Sequence, residues 1–262
     1  MRGGIYINNL YYNINAEDEK IKESILEFID ALEEYDHLQF IEIPYLLKVY
    51  AESIGREIYR NYEIVSYVLE LKEEIESTSD HLYKNILNDY KRVESSNKSS
   101  ELKEELKGYE EALDRVISNG NKTLKGFMEE NRIREVYKKL IFMYHPIVRK
   151  DKIELWAEIS KSYKELNLES LEKIYFLGKD FGYENWKSID IEVYKKKFEK
   201  TIRDLKNSFP FVLKNEILDE EWRKEKAYKI YENNMKFESE AILLEEKLES
   251  LEKELKEKKG LA

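Results

Sequence analysis

The sequence predicts an all-α protein, and three observations predict it. Only three prolines and nine glycines interrupt 262 residues, so few points break a helix. Lys, Glu, Leu and Ile dominate the longer segments, and these residues favour helices. Apolar residues recur in alternating steps of three and four, the spacing of a helix face and not of a strand.

Taken in order, residues 1–15 carry the weakest signal. Ile5 and Ile7 alternate with other types and allow a short strand or an ordered tail. Asn15 is placed to cap a helix that opens Ala16-Glu17-Asp18, because acids favour the first turn. Ile21, Ile25, Phe28, Ile29 and Leu32 give that helix one apolar face, and its end is expected near Tyr35-Asp36-His37. Pro44 suits the first turn of the next helix. Ile64, Val68, Leu71 and Ile75 form a heptad-like seam, extended by Leu82, Ile86, Tyr90 and Val93, with a break expected near Ser77-Thr78-Ser79. The run from Ser95 to Ser100 reads as a linker. Leu102, Leu106, Tyr109, Leu113 and Val116 mark a further helix before a turn at Asn119-Gly120-Asn121.

The C-terminal periodicity is the cleanest. Ile230, Asn234, Phe237, Ala241, Leu244, Leu248, Leu251 and Leu255 make a coiled-coil seam with one polar position, Asn234, and Gly260 is a natural stop. A long helix with an apolar stripe needs a partner. At 1.5 Å per residue, 58–93 spans about 54 Å and 219–258 about 60 Å, so the two seams match in length. Antiparallel pairing within the chain is the expectation, and a parallel homodimer is the competing arrangement. The resulting division is an N-terminal helical region at 1–57, coiled-coil helices at 58–125 with the linker near 95–100, a helical module at 126–189, and C-terminal helices at 190–262.

Composition excludes several functions. The net charge of −10 opposes general binding to nucleic acid backbones. No apolar run is long enough to span a bilayer, no signal-peptide core is visible, and a cytoplasmic location is expected. Cysteine is absent, which removes disulfides and thiolate metal sites. His37, His81 and His145 lack ligand spacing, and no phosphate loop or nucleophile elbow occurs. Neither cofactor nor metal is expected, and nothing points to an enzyme.

Residues 133–147 carry the strongest motif. A basic amphipathic helix, with Ile133, Val136, Tyr137, Leu140, Ile141 and Tyr144 inward, ends at His145-Pro146-Ile147. Proline pushes the preceding residue out of the α region and stops the helix. After Val148-Arg149-Lys150, Asp151 and Glu154 have capping-box spacing for a second helix. That helix carries Trp156, Ile159, Tyr163 and Leu166 on one face, and Asn167 is placed to cap a third through Leu171. From 131 to 153 seven bases (Arg132, Arg134, Lys138, Lys139, Arg149, Lys150, Lys152) face two acids (Glu135, Asp151), a local net of +5.

This pair of helices, over about 132–175, resembles the core hairpin of a J domain, the module that docks DnaJ-type co-chaperones onto an ATP-driven heat-shock partner. The ending Leu166-Asn167-Leu168-Glu169-Ser170-Leu171 resembles bacterial members that lack the glycine-phenylalanine linker and zinc module. The likeness implies a co-chaperone or adaptor whose partner is a DnaK-type chaperone or another acidic protein. It assigns partner binding to the outward bases Arg134, Lys138 and Lys139, the turn His145, Pro146 and Ile147, and the loop bases Arg149 and Lys150. Met143 stands where many members carry another base. The family's turn reads His-Pro-Asp, whereas Ile147 accepts no hydrogen bond and balances no arginine, which implies weak or no stimulation of ATP hydrolysis. The alternative is a coiled-coil scaffold in which the hairpin only packs. Exposure or burial of the surface around Lys138, Lys139 and His145 separates the two.

Overall fold

The computed structural model describes residues 16–83, 98–119, 127–178, 186 and 189–260. Among them every regular element is helical: α1 (Ala16–His37), α2 (Ile43–Tyr50), α3 (Arg56–Tyr83), α4 (Lys98–Asn119), α5 (Phe127–Tyr144), α6 (Ile153–Lys164), α7 (Leu168–Leu177), α8 (Ile191–Lys206), α9 (Lys214–Leu218) and α10 (Glu220–Gly260). The all-α expectation holds. The readings placed on Ile5, Ile7, Asn15 and Ile86 to Val93 lie outside the described residues.

Several local expectations change. Helix α1 ends at His37 as expected, but no turn follows: a π-helical segment, Leu38–Glu42, continues directly, and a second, Ala51–Gly55, links α2 to α3. The apolar spacing gives the reason. Ile41, Leu46 and Ala51 are buried and five residues apart, which suits the i to i+5 turn of a π segment. No break occurs at Ser77-Thr78-Ser79, and α3 continues to Tyr83. Three polar residues alone do not stop a helix whose neighbours have high propensity. Helix α4 already begins at Lys98, inside the expected linker.

The chain divides into two compact units, each built from separated stretches: 1–45 with 122–212, and 46–121 with 213–262. In the first, the core gathers Ile25, Phe28 and Leu32 of α1, Ile133, Tyr137, Leu140 and Ile141 of α5, and Ile159 and Tyr163 of α6. Helix α1 runs antiparallel to α5, since Asp30 meets Lys138 and Glu33 meets Arg134. Helix α8 lies along the other side of α1 in parallel, with Ser24 donating to Glu192 and Lys195 bonded to Glu27.

In the second unit the long pair is α3 and α10, and its direction is opposite to the expectation. Arg60 bonds Glu238 at 2.6 Å, Asn61 bonds Asn234 at 2.8 Å, and Tyr67 bonds Glu245. From Glu57 and Asn61 with Asn234 to Tyr67 with Glu245 the partners advance in the same direction along both helices, so the pair is parallel and lies within one chain. Matched length does not fix direction. A short turn between the helices forces them antiparallel, whereas the long stretch 84–219 leaves either direction open. The seam itself is as read: Val68, Leu71 and Ala241 are buried, with Ile64, Leu244 and Leu248 packed on them.

Asn234 is fully buried in that seam. Its amide donates to the Glu57 carbonyl and carboxylate at 3.2 and 3.3 Å, and its oxygen accepts from Asn61. A polar group in an apolar seam is tolerated only opposite its partners, so it pins the register.

The absence of native cysteine makes the parallel pairing directly testable. Tyr67→Cys with Glu245→Cys should give an intramolecular product with a short bismaleimide, and Tyr67→Cys with Tyr231→Cys should not. The reverse pattern would return the antiparallel arrangement.

Candidate interaction site

The hairpin begins where α5 ends. Helix α5 stops at Tyr144 because Pro146 follows, as expected. A continuing helix would send the N–H of residue 146 to the Phe142 carbonyl, and proline has none. Trp186 supplies the missing donor: its indole Nε1 donates to the Phe142 carbonyl at 3.1 Å. Its ring stacks on Phe142 at 6.2 Å and meets Phe28 edge-on at 6.1 Å. Trp186 was not singled out in the sequence, although the carbonyl orphaned by Pro146 was a signal that some donor must come.

The turn is satisfied internally. The His145 carbonyl accepts from the backbone N–H of Val148 and of Arg149, each at 2.9 Å. The Ile147 N–H donates to His145 Nδ1 at 3.2 Å, and the ring meets Trp156 edge-on at 4.8 Å. His145 therefore packs inward. Burial lowers its pKa to about 4, which leaves the ring neutral at pH 7 with the remaining proton on Nε2. Pro146, Ile147 and Val148 are half-buried, and Lys150 is exposed.

Helix α6 starts without its expected cap. Asp151 lies in a short 3-10 turn, Lys150–Lys152, and its carboxylate takes a bidentate ion pair from Arg149 at 2.9 Å. The guanidinium two residues away outcompetes the helix N–H groups and holds the carboxyl down to about 2. Asn167 does cap α7, accepting from the Ser170 N–H at 3.1 Å.

The inward face of the hairpin matches the reading. Tyr137 stacks on Tyr163 with centroids 3.7 Å apart and on half-buried Trp156 at 5.8 Å. The outward face does not. Arg134 was expected to point away from the core, but Glu33 of α1 draws it into a bidentate pair at 2.7 and 2.8 Å. Lys138 is held by Asp30 at 2.8 Å, and Lys139 lies 5.1 Å from the Tyr175 ring of α7. Met143 is buried, and Gly178 at the end of α7 lies so near it that an added Cβ would collide with the Met143 and Tyr144 side chains. Helices α1, α6 and α7 and the Trp186 ring thus enclose the C-terminal half of α5.

Glu33 is only 1% exposed and anchors a buried polar cluster. Besides Arg134 it accepts from the Tyr163 hydroxyl at 2.9 Å. With that proton directed to Glu33, His37 Nδ1, 3.3 Å from the same hydroxyl, acts as the donor. Burial and then Arg134 lower the His37 pKa, so its 3.5 Å approach to Glu130 is not an ion pair at neutral pH. Burial opposes the charge on Arg134, but the Glu33 carboxylate outweighs it and raises the pKa. Burial raises Tyr163 too, with Glu33 adding to the effect. Nearby, Tyr137 donates to Asp36 at 2.7 Å, and burial lifts Asp36 from 3.8 to about 6. The arrangement ties α1, α5 and α6 together.

No protein-family model, curated protein or solved structure matches this chain.

Arg134→Met leaves the buried Glu33 charge uncompensated and should cost about 3 kcal/mol in urea unfolding. Lys138→Met removes a pair whose acid is exposed and should stay within about 1 kcal/mol. Equal costs would mean that Arg134 turns out to solvent. The titratable groups give a second test. Unfolded histidine takes up a proton near 6.5, but folded His145 waits until about 4, so stability is lost as pH falls through that window. Folded Asp36 takes up its proton near 6, whereas the unfolded carboxyl waits until 3.8, so acidification there adds stability. Asp36→Asn keeps the bond from Tyr137 and removes only the compensating gain. Its melting temperature should fall more steeply than that of wild type between pH 6 and pH 4, and equal slopes would refute the assignment.

Proposed function

We propose that this chain is an all-helical scaffold or interaction protein in which the J-like hairpin is the packing centre of one unit. The observation that carries this reading is the engagement of Arg134, Lys138 and Lys139 by Glu33, Asp30 and Tyr175 of the same unit. Arg134, held by the buried Glu33 carboxylate, must lose that partner before it meets another, and the exchange offsets most of the gain, whereas exposed Asp30 and the Tyr175 ring hold Lys138 and Lys139 more weakly. His145 points the same way, because its ring is spent on Trp156 and its Nδ1 on the Ile147 N–H.

The second reading is an adaptor that docks a DnaK-type chaperone without triggering it. The stacked inward face of the hairpin, the intact His145-Pro146 turn and the exposed Lys150 beside it support this alternative.

A purified DnaK-type chaperone separates the readings. On the scaffold reading, neither wild type nor Ile147→Asp should bind it or move its ATPase from the basal rate. Exposed charges are screened over about 8–10 Å at moderate salt, so docking through the basic residues should weaken as salt rises. Salt-sensitive binding, abolished by Lys138→Glu with Lys139→Glu and converted to stimulation by Ile147→Asp, would replace the scaffold reading with the adaptor.

A further inference from the structure

The second unit holds a hollow of about 290 Å³ between α3 and α4. On α3, Tyr59, Glu63, Ser66 and Glu70 follow in steps of four, three and four and so share one face. Helix α4 adds Leu106, Lys107 and Glu110. Ser66 is the unusual member. It is 5% exposed, and its hydroxyl has no hydrogen-bond partner. A helical serine ordinarily returns its hydroxyl to the carbonyl four residues back. In this unit Ser53 donates to the Val49 carbonyl and Ser239 to that of Met235, but Ser66 makes no such bond to Tyr62. A buried hydroxyl left unpaired costs free energy, and a group entering the hollow would pair it.

The carboxylates beside Ser66 say what that group is. Half-buried Tyr59 lies within hydrogen-bonding reach of both Glu63 and Glu110. A phenol carries one proton and serves one carboxylate at a time, whereas each carboxylate has room for about four hydrogen bonds. Glu63, Glu70 and Glu110 against Lys107 leave the lining with a net charge of −2. Lys107 is exposed and makes no ion pair among the described residues, so its ammonium does not occupy the acids. A bare metal ion does not fit, because no three acids among the described residues stand close enough to hold one. An ammonium donates at about 2.9 Å, beyond the about 2.0–2.6 Å of a metal–oxygen bond, and spans acceptors set farther apart. Its three N–H groups match Glu63, Glu110 and the Ser66 Oγ. Leu106 and the ring of Tyr67, held by Glu245, offer apolar walls for the methylenes that follow.

We propose that this hollow binds a primary alkylammonium ion, which donates to Glu63 and Ser66 of α3 and to Glu110 of α4 and so fastens one helix to the other. A free polyamine and a lysine side chain present the same group. The site lies in the unit without the hairpin and shares no residue with it. Its failure would leave the scaffold reading untouched, and the chaperone assay does not bear on it.

Calorimetric titration of the full chain uses n-butylamine, with tetramethylammonium, a cation of equal charge and no N–H, as the control. Butylamine should bind wild type and raise its melting temperature. Ser66→Ala and Glu110→Gln should each bind it about tenfold less well, the effect of losing one hydrogen bond to a charged group. Ser66→Ala keeps every charge, and alanine favours the helix, so the variant should fold. Circular dichroism checks this, and Glu110→Gln, at an exposed position, carries the test if it does not. Without ligand Ser66→Ala should melt no lower than wild type, because it removes an unpaired buried hydroxyl. Putrescine and Nα-acetyl-lysine amide then separate the two sources, the tighter of them naming the ligand. Absence of butylamine binding to wild type would overturn the proposal, as would equal binding to the folded variants. Tetramethylammonium bound as tightly as butylamine would reduce the effect to general attraction for an acidic chain and overturn it too. So would a lower melting temperature of Ser66→Ala without ligand, because the hydroxyl would then have a partner within the fold.

Discussion

A carboxylate withdrawn from water needs its counter-charge beside it, and Glu33 imposes that requirement on the first unit. Its partners lie on two other helices, Arg134 on α5 and Tyr163 on α6. Once α1 lies where this acid meets that base, its neighbours fall into register. Asp30, three residues earlier, meets Lys138, four residues later, and Asp36 meets Tyr137. The antiparallel packing of α1 on α5 is therefore a polar ladder beside an apolar seam. Buried charge is a costly way to hold helices together, and its use is in specificity, since a slip by one turn would strand Glu33. The ladder also decides what α5 offers to the outside, because the bases that sequence alone leaves pointing to solvent face an acidic helix of the same unit.

The second unit solves its register problem with a neutral group. Asn234 interrupts an otherwise apolar seam and finds Asn61 and Glu57 across it. Alternating steps of three and four read the same in both directions, so the stripes on α3 and α10 do not choose between parallel and antiparallel pairing. A buried amide with particular partners fixes the register of the pair once its direction is set. Arg60 with Glu238 and Tyr67 with Glu245 repeat the same offset on the rim, where exposed pairs add little energy and report the register already set.

What the sequence made legible was periodicity, and periodicity describes a helix face without naming its neighbour. The helical class, the end of α5 at Pro146, the cap at Asn167, the seam through Val68 and Ala241 and the inward set Tyr137, Leu140 and Tyr163 all follow from local chemistry. The misreadings concern partners. Matched seams were given the wrong direction because direction depends on the connection. Asp151 has cap spacing, but Arg149 two residues before it competes for the same carboxylate, a local rivalry that the capping pattern alone does not weigh. The bases Arg134 and Lys138 read as outward because the hairpin alone does not show that Glu33 and Asp30 of α1 are laid against them. Trp186 lies in a stretch without periodicity, where no face is defined to which a side chain could be assigned.

The hairpin shows why inward and outward positions carry unequal information. Tyr137, Trp156 and Tyr163 are constrained by each other in one stack, with Leu166 buried beside them in the same core. Arg134, Lys138 and Lys139 are constrained by nothing within the hairpin, and their role is set by whatever else is laid against them. Here α1 brings two carboxylates and α7 an aromatic ring to the same three bases. A likeness carried by the inward set is therefore an argument about packing. It leaves open to partners only the surface that no other helix of the unit covers.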